Sequence, residues 1–232
     1  MNFKPLIGYW HSVDLVQVKE ALDEIPCDKI QVSYFDYPYP QRKVLEYFKE
    51  NPEYTHLILI PNDLVYNLRN FTMTERAVRE LDPPVLCGLC NVDLGQYKDF
   101  WNVCPKLPTL EFTQRRYRWM AESQRLHHLN LGFRFIPVKF AGFPAMCVRR
   151  DVFDKCKINE FNESIKTKEV PIWESQLGYA NDLMFCHNLS DLEITIVCDL
   201  ENTMLHLRFQ GEKQNGKKQP NVHLVKSGEK IN

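Results

Sequence analysis

Apolar positions along this chain change their period several times, and each change marks an element. Leu57-Ile58-Leu59-Ile60 is an unbroken apolar run, too short for a helix and closed by Pro61. It reads as a strand buried on both faces, as in a parallel sheet. Upstream, Leu6 to Trp10 forms a short apolar strand. Leu15, Val18, Leu22 and Ile25 then fall on one helical face behind Ser12, a candidate N-cap. Lys29 to Phe35 is rich in β-formers and ends at Asp36. Pro40 suits the first turn of a helix that buries Val44, Leu45 and Phe48. Downstream of the central strand, a helix is expected from about Thr72 or Thr74 to Leu81, with Thr72 and Glu75 at capping-box spacing. Pro83-Pro84 separates it from a strand over Val85 to Val92. This β-α-β-α-β-α-β order implies an α/β fold, with a mostly parallel sheet wound by right-handed crossovers.

The second half is less regular. Asp93 to Thr113 has no clear period and reads as loop with short elements. Gln114 to Leu129 reads as a basic helix, Ile136 to Val148 as strand around Gly142 and Pro144, and Asp151 to Lys155 as a short helix. A further helix fits Asn181 to Asn188. A β-branched strand fits Ile194 to Cys198, followed by a segment ending at His206. From Gln210 onward the chain is polar, with five Lys and two Glu, and reads as a disordered tail. Removing such a tail should leave the melting temperature nearly unchanged.

Composition narrows the picture. A chain of 232 residues can bury a full core, as one domain over 1–209 followed by the tail 210–232. With 29 Lys and Arg against 30 Asp and Glu, nothing pulls the whole chain toward nucleic acid. No apolar run is long enough to span a bilayer, and Met1 to His11 does not have the form of a signal peptide. Eight irregularly spaced cysteines suit reduced thiols and a cytoplasmic location. On that reading the sequons at Asn70, Asn162 and Asn188 are chance matches. Cys87 and Cys90 are spaced as a C-x-x-C, but within a strand they point to opposite faces and cannot share one ion.

Candidate chemistry gathers where strands end, because ligands of open α/β sheets bind outside the carboxyl ends of strands. Asn62 and Asp63 close the central strand, Asp36 closes the second, and Tyr9 and Trp10 close the first. Each has a structural alternative: a turn for Asn62 and Asp63, and core packing for the aromatics. Further on stand Phe140 to Phe153, then Trp173-Glu174, then Tyr179-Ala180-Asn181-Asp182 before an apolar helix, and finally Met204-Leu205-His206.

Taken in this order, these motifs resemble the GT-A-type nucleotide-sugar glycosyltransferases, particularly those like family 2, over about residues 4 to 208. The resemblance implies a Rossmann-like nucleotide-binding half near 1–95 and a smaller acceptor-side half near 96–209. It puts Leu59 to Asp63 at the Asp-x-Asp position, Asn181-Asp182 at the Glu-Asp motif and His206 at a late metal ligand. The implied donor is a nucleotide-diphosphate sugar held by Tyr9, Trp10, Asp36, Asn62 and Asp63. The implied acceptor is a glycan, lipid-linked or protein hydroxyl near Trp173 and Glu174. Asp63 and His206 would bind Mn2+ or Mg2+, the imidazole favouring Mn2+, and Asp182 would be the general base of an inverting transfer. Pro61 and Asn181 replace the first acid of each motif. That leaves open an active enzyme with a variant site, a nucleotidyltransferase of similar sheet, or a non-catalytic relative. It also leaves Asp182 as a helix cap, His206 as a hydrogen-bonded histidine and Arg115, Arg116, Arg118 and Arg125 as a solvated face.

Overall fold

The structure is a computed structural model that describes residues 2–11, 16–33, 39–61, 63–91, 100–109, 117–142, 144–155, 181–207 and 221–230. Asp36, Asn62, Trp173 and Glu174 lie outside them. The strands are β1 (Pro5–His11), β2 (Asp28–Ser33), β3 (His56–Ile60), β4 (Leu64–Val65), β5 (Val85–Cys90), β6 (Phe100–Trp101) and β7 (Val103–Cys104). They continue with β8 (Met120–Ala121), β9 (Phe135–Val138), β10 (Phe140–Ala141), β11 (Met146–Arg149), β12 (Ile196–His206) and β13 (Asn221–Val225). The helices are α1 (Val16–Asp23), α2 (Tyr39–Glu50), α3 (Leu68–Leu81), α4 (Glu122–Asn130), α5 (Arg150–Lys155) and α6 (Asn181–Asp191).

The central sheet runs β13-β2-β1-β3-β11-β5-β12-β4, with β9 also pairing β12. β1 pairs in parallel with β2 and β3, and β5 pairs in parallel with β12. Between β3 and β5 lies β11, antiparallel to both. The sheet is therefore mixed, where the strand–helix order predicted mostly parallel pairing. A late segment returns to fill the gap between β3 and β5, which local periodicity does not encode.

Alternation on β3 divides the core. Leu57 and Leu59 face a cluster that includes Val44 and Phe48 of α2, Val152 of α5 and Leu183 of α6. Ile58 and Ile60 face a second cluster with Val18 and Leu22 of α1 and Phe71 and Val78 of α3. Helices thus cover both faces of the sheet, giving three layers. Gly8 on β1 lets α2 approach closely, since a Cβ there would collide with Val44 Cγ1. Cys87 and Cys90 belong to opposite clusters, as the strand period requires.

Helix α3 begins four residues before the first expected start, because Asn67 caps it. The Asn67 side chain accepts from Asn70 N, and the Asn70 side chain accepts from Asn67 N. Asn can play both parts of a capping box, so a search for Ser or Thr followed by Glu misses it. Helix α4 begins at Glu122 rather than Gln114; residues 117–119 are not helical and residues 110–116 lie outside the described residues. Arg125 bridges from α4 to Leu200 O at 2.8 Å and to Glu122 at 2.8 Å, so this member of the basic run is a structural tie. Arg150 donates to Tyr54 O, Phe48 O and Asn51 O and stacks on Phe48, closing the carboxyl end of α2.

The expected disordered tail is corrected over residues 221–230. β13 pairs antiparallel with β2, and Val225 is fully buried. Asp28 accepts from Ser227 N at 2.9 Å and from Lys226 Nζ at 3.0 Å, anchoring the strand's end. The polar composition concealed a strand because an edge strand needs only one buried face. Deleting residues 212–232 is therefore expected to lower the melting temperature by about 3–12 °C, since burying one valine contributes about 1.5–3 kcal/mol and each kcal/mol is worth about 2–4 °C at this size. A melt within 1–2 °C of the full chain would show that β13 contributes nothing.

At the amino end of β3, His56 is buried, with Nδ1 2.9 Å from Thr55 Oγ1 and its ring 5.0 Å from Phe3. Burial, opposed by Asp82 and Asp151 and reinforced by Arg149, pushes its pKa down to about 4. The fold prefers the neutral ring, so its stabilising effect is complete above the unfolded value near 6.5 and is lost as pH falls toward 4. Up to about 3 kcal/mol is expected to disappear across that window. Urea unfolding of wild type and His56→Gln at several pH values tests this: the variant's stability should decline less from pH 6.5 to 4. Parallel declines would remove His56 as the cause.

Candidate functional site

The parallel strands β1, β2, β3, β5 and β12 end along one edge of the sheet, and several sequence candidates meet there. Asp63 follows β3, and the short strand β4 directly after it pairs with the end of β12, Leu64 against His206 and Val65 against Leu205. Leu207 N donates to Asp63 O at 2.6 Å. This pairing brings His206 Nε2 to 3.0 Å from Asp63 Oδ2, joining side chains 143 residues apart. Both groups are about one-third exposed, so either can meet a solute.

A buried polar network fixes the final turn of β12 from below. Asn202 accepts from Asn70 Nδ2 at 2.8 Å and donates to Thr74 Oγ1 at 3.1 Å, while Asn70 Nδ2 also reaches Thr203 O at 2.9 Å. Tyr66 OH donates to Thr74 Oγ1 at 2.8 Å. The β5–β12 register shifts between Cys198 and Thr203, just where these side chains tie β12 to α3. Such networks specify one arrangement because a buried polar group left unpaired is costly.

Carboxylate and imidazole are a donor set that suits Mn2+, and the carboxylate alone suits Mg2+. The 3.0 Å between Nε2 and Oδ2 is also the spacing of adjacent ligands around an octahedral ion with bonds of about 2.1 Å. In the structure the two side chains are joined by a direct hydrogen bond, and the distance between them permits two neighbouring positions. Among the described residues no group of three or more His, Cys, Asp or Glu converges on one point, so water or substrate oxygens would have to complete the shell. Cys90 at the end of β5 lies close enough to feel the Asp63 charge, but burial first, and then that charge, holds its thiol well above the ordinary range and thus protonated.

Asp182 opens α6. Its Oδ1 accepts from Leu183 N at 2.8 Å, and its Oδ2 lies 3.3 Å from where a Cβ on Gly142 would stand. The helix rests on β10, where Cys186 lies 3.7 Å from Ala141 O, and His187 Nε2 is 2.7 Å from Pro108 O. Asp182 is half-buried, and the start of α6 favours its ionised form through the helix dipole.

Asn102, between β6 and β7, carried no signal in the sequence beyond being polar in a region without period. It is buried and joins the end of β5 to the loop after β10. Its backbone N–H donates to Cys90 O at 3.0 Å, and its Oδ1 accepts from Cys90 N at 3.1 Å. Its carbonyl accepts from Gly142 N at 3.0 Å. The other expected donor contacts are placed differently. Tyr9 is fully buried in the cluster with Ile7 and Ile60, so it packs in the core and offers no face to a base. Trp10 is the next-to-last residue of β1 at the same edge.

The fold and this edge define a three-layer α/β protein with a mixed central sheet and an acidic, histidine-bearing rim at the carboxyl ends of its parallel strands. No protein-family model matches the sequence, and no curated protein matches it either. Among solved structures, A197 from STIV is similar over 93% of this chain and 100% of that one, with a TM-score of 0.52 and 11% identity. At that identity the likeness shows a shared fold alone. No helix among the described residues is long and apolar enough to cross a membrane.

Proposed function

We propose that this protein is a metal-dependent, GT-A-type glycosyltransferase that moves a sugar from a nucleotide-diphosphate sugar to an acceptor hydroxyl. The observation that carries the reading is the Asp63–His206 pair at the carboxyl edge, with Oδ2 and Nε2 3.0 Å apart. Two residues given metal-binding roles by resemblance lie far apart in the chain and next to each other in the fold. Asp182 opens a helix at the same edge, beside Gly142.

Asp63 and His206 would hold Mn2+ or Mg2+, which when bound neutralises charge developing on the leaving diphosphate. Asp182 takes the proton of the acceptor hydroxyl as its oxygen attacks the anomeric carbon, the role of general base in an inverting transfer. Its helix-start position keeps the carboxylate ionised and thus ready to accept. The acceptor is a glycan, a lipid-linked group or a protein hydroxyl.

Thermal melts with a panel of nucleotide-diphosphate sugars, with and without Mn2+, test the reading. Stabilisation that requires both metal and a diphosphate sugar is expected. Stabilisation by nucleoside triphosphates alone would favour nucleotidyl transfer, and no response to any nucleotide would favour a non-catalytic binding protein.

A further inference from the structure

We propose that Asn102 is a positioning residue for the Asp182 carboxylate, acting through Gly142. The proposal rests on the glycosyltransferase reading only for the role given to Asp182; the placement itself stands on geometry.

Asn102 exchanges hydrogen bonds with two different segments. Cys90 at the end of β5 is bound through both its N–H and its C=O. Gly142, after β10, donates its N–H to the Asn102 carbonyl at 3.0 Å and accepts from Nδ2 at a long 3.5 Å. The bond from Cys90 N fixes the amide's orientation, since only Oδ1 can accept it. Nδ2 must then face the Gly142 side. A Cβ on Gly142 would lie 3.3 Å from Asp182 Oδ2 and 3.5 Å from Asn102 Nδ2. The amide and the carboxylate therefore flank one point, where a Cβ would press on the carboxylate and touch the amide at ordinary contact distance.

The arrangement has a purpose beyond packing. Asp182 Oδ1 is taken up by Leu183 N, so Oδ2 is the oxygen turned toward Gly142. Gly142 is partly exposed, whereas Asn102 is buried. The amide, held from behind by Cys90, and the Asp182 carboxylate thus both lie beside Gly142. On the described elements Cys186, one turn along α6, senses the Asp182 charge, and Cys104 on β7 in turn lies near Cys186. Burial keeps both thiols protonated, so neither competes with Asp182 for charge over the acid range.

The test follows the Asp182 carboxyl carbon by NMR in protein labelled at aspartate, with its resonance assigned by loss in Asp182→Asn. In Asn102→Asp the acceptor for Cys90 N–H is kept and a second carboxyl group faces Asp182. Two carboxyls at one site do not titrate independently. The Asp182 curve should show either a midpoint raised by about one unit or a second inflection shared with the new group. Gly142→Ala, which needs no left-handed backbone, should displace the same resonance, while the His206 ring signals stay in place in both variants. Folded variants in which Asp182 titrates as in wild type would overturn the proposal. If Asn102→Asp does not fold, Asn102→Ser, which removes the whole amide, should displace the Asp182 resonance, and an unchanged resonance in that folded variant would overturn the proposal.

Transfer rates separate this proposal from the reading beneath it. With the nucleotide sugar that gives the largest Mn2+-dependent thermal shift, Gly142→Ala should lower the rate at least tenfold with donor affinity unchanged. Normal turnover by Asp182→Asn would remove the base, yet leave the coupling of Asn102 and Asp182 standing.

Discussion

Asp63→Asn is expected to abolish the Mn2+-dependent thermal shift and to reduce metal-dependent transfer to background, with the fold retained. An amide keeps the size of the carboxylate and can still hydrogen-bond His206, but it removes the negative charge that attracts a divalent ion. The pair is about one-third exposed on both sides, and exposed ion pairs contribute only about 0–1 kcal/mol to stability. The melting temperature without metal should therefore move by no more than a few degrees. The backbone bond from Leu207 N to Asp63 O and the β4–β12 pairing are untouched by the change. His206→Ala should weaken the metal response in the same direction, retaining more of it because the carboxylate remains. Near-normal Mn2+-dependent turnover by Asp63→Asn would exclude Asp63 as a ligand and reduce the pair to a hydrogen bond between strand ends.

Asp182→Asn is expected to lower the transfer rate by about 10²–10⁴-fold, the usual cost of losing a positioned base. Asparagine keeps the size and hydrogen-bonding ability of aspartate at the second residue of α6, so the helix should start at the same residue and stability should change little. Donor affinity should also hold, because the base touches the acceptor hydroxyl and not the nucleotide. In wild type the rate should fall toward low pH as the carboxylate takes up a proton, and the variant should lose that limb of the profile. Donor binding and transfer rate measured side by side separate the two roles of Asp182. Intact binding with a collapsed rate identifies a base; an intact rate leaves a helix cap.

Residues legible in the sequence share one property: their signal is local. The run Leu57 to Ile60 is apolar on successive positions because both faces of β3 are covered, and the structure buries all four. The spacing of Val18 and Leu22, and of Val44 and Phe48, marks the buried sides of α1 and α2 for the same reason, with Ile25 buried just past the end of α1. Asp63, Asp182 and His206 were legible as polar residues closing or opening such elements. Where local chemistry admitted a second solution, the reading moved. A capping box built from two asparagines shifted the start of α3, and the short run from Val222 to Val225 formed a strand within the otherwise polar C-terminus.

The sequence by itself determined the alternation of strands and helices in the first half, the two-faced core and the polar rim where strands end, because burial imposes a period on neighbouring residues. Only the tertiary structure decided that β11 inserts antiparallel between β3 and β5, that β4 draws Asp63 to His206, and that Asn102 links Cys90 to Gly142 beside Asp182. Each of these joins residues tens of positions or more apart. Such contacts are set by how the sheet closes and by which backbone groups remain to be paired, and neither leaves a periodic trace in the chain.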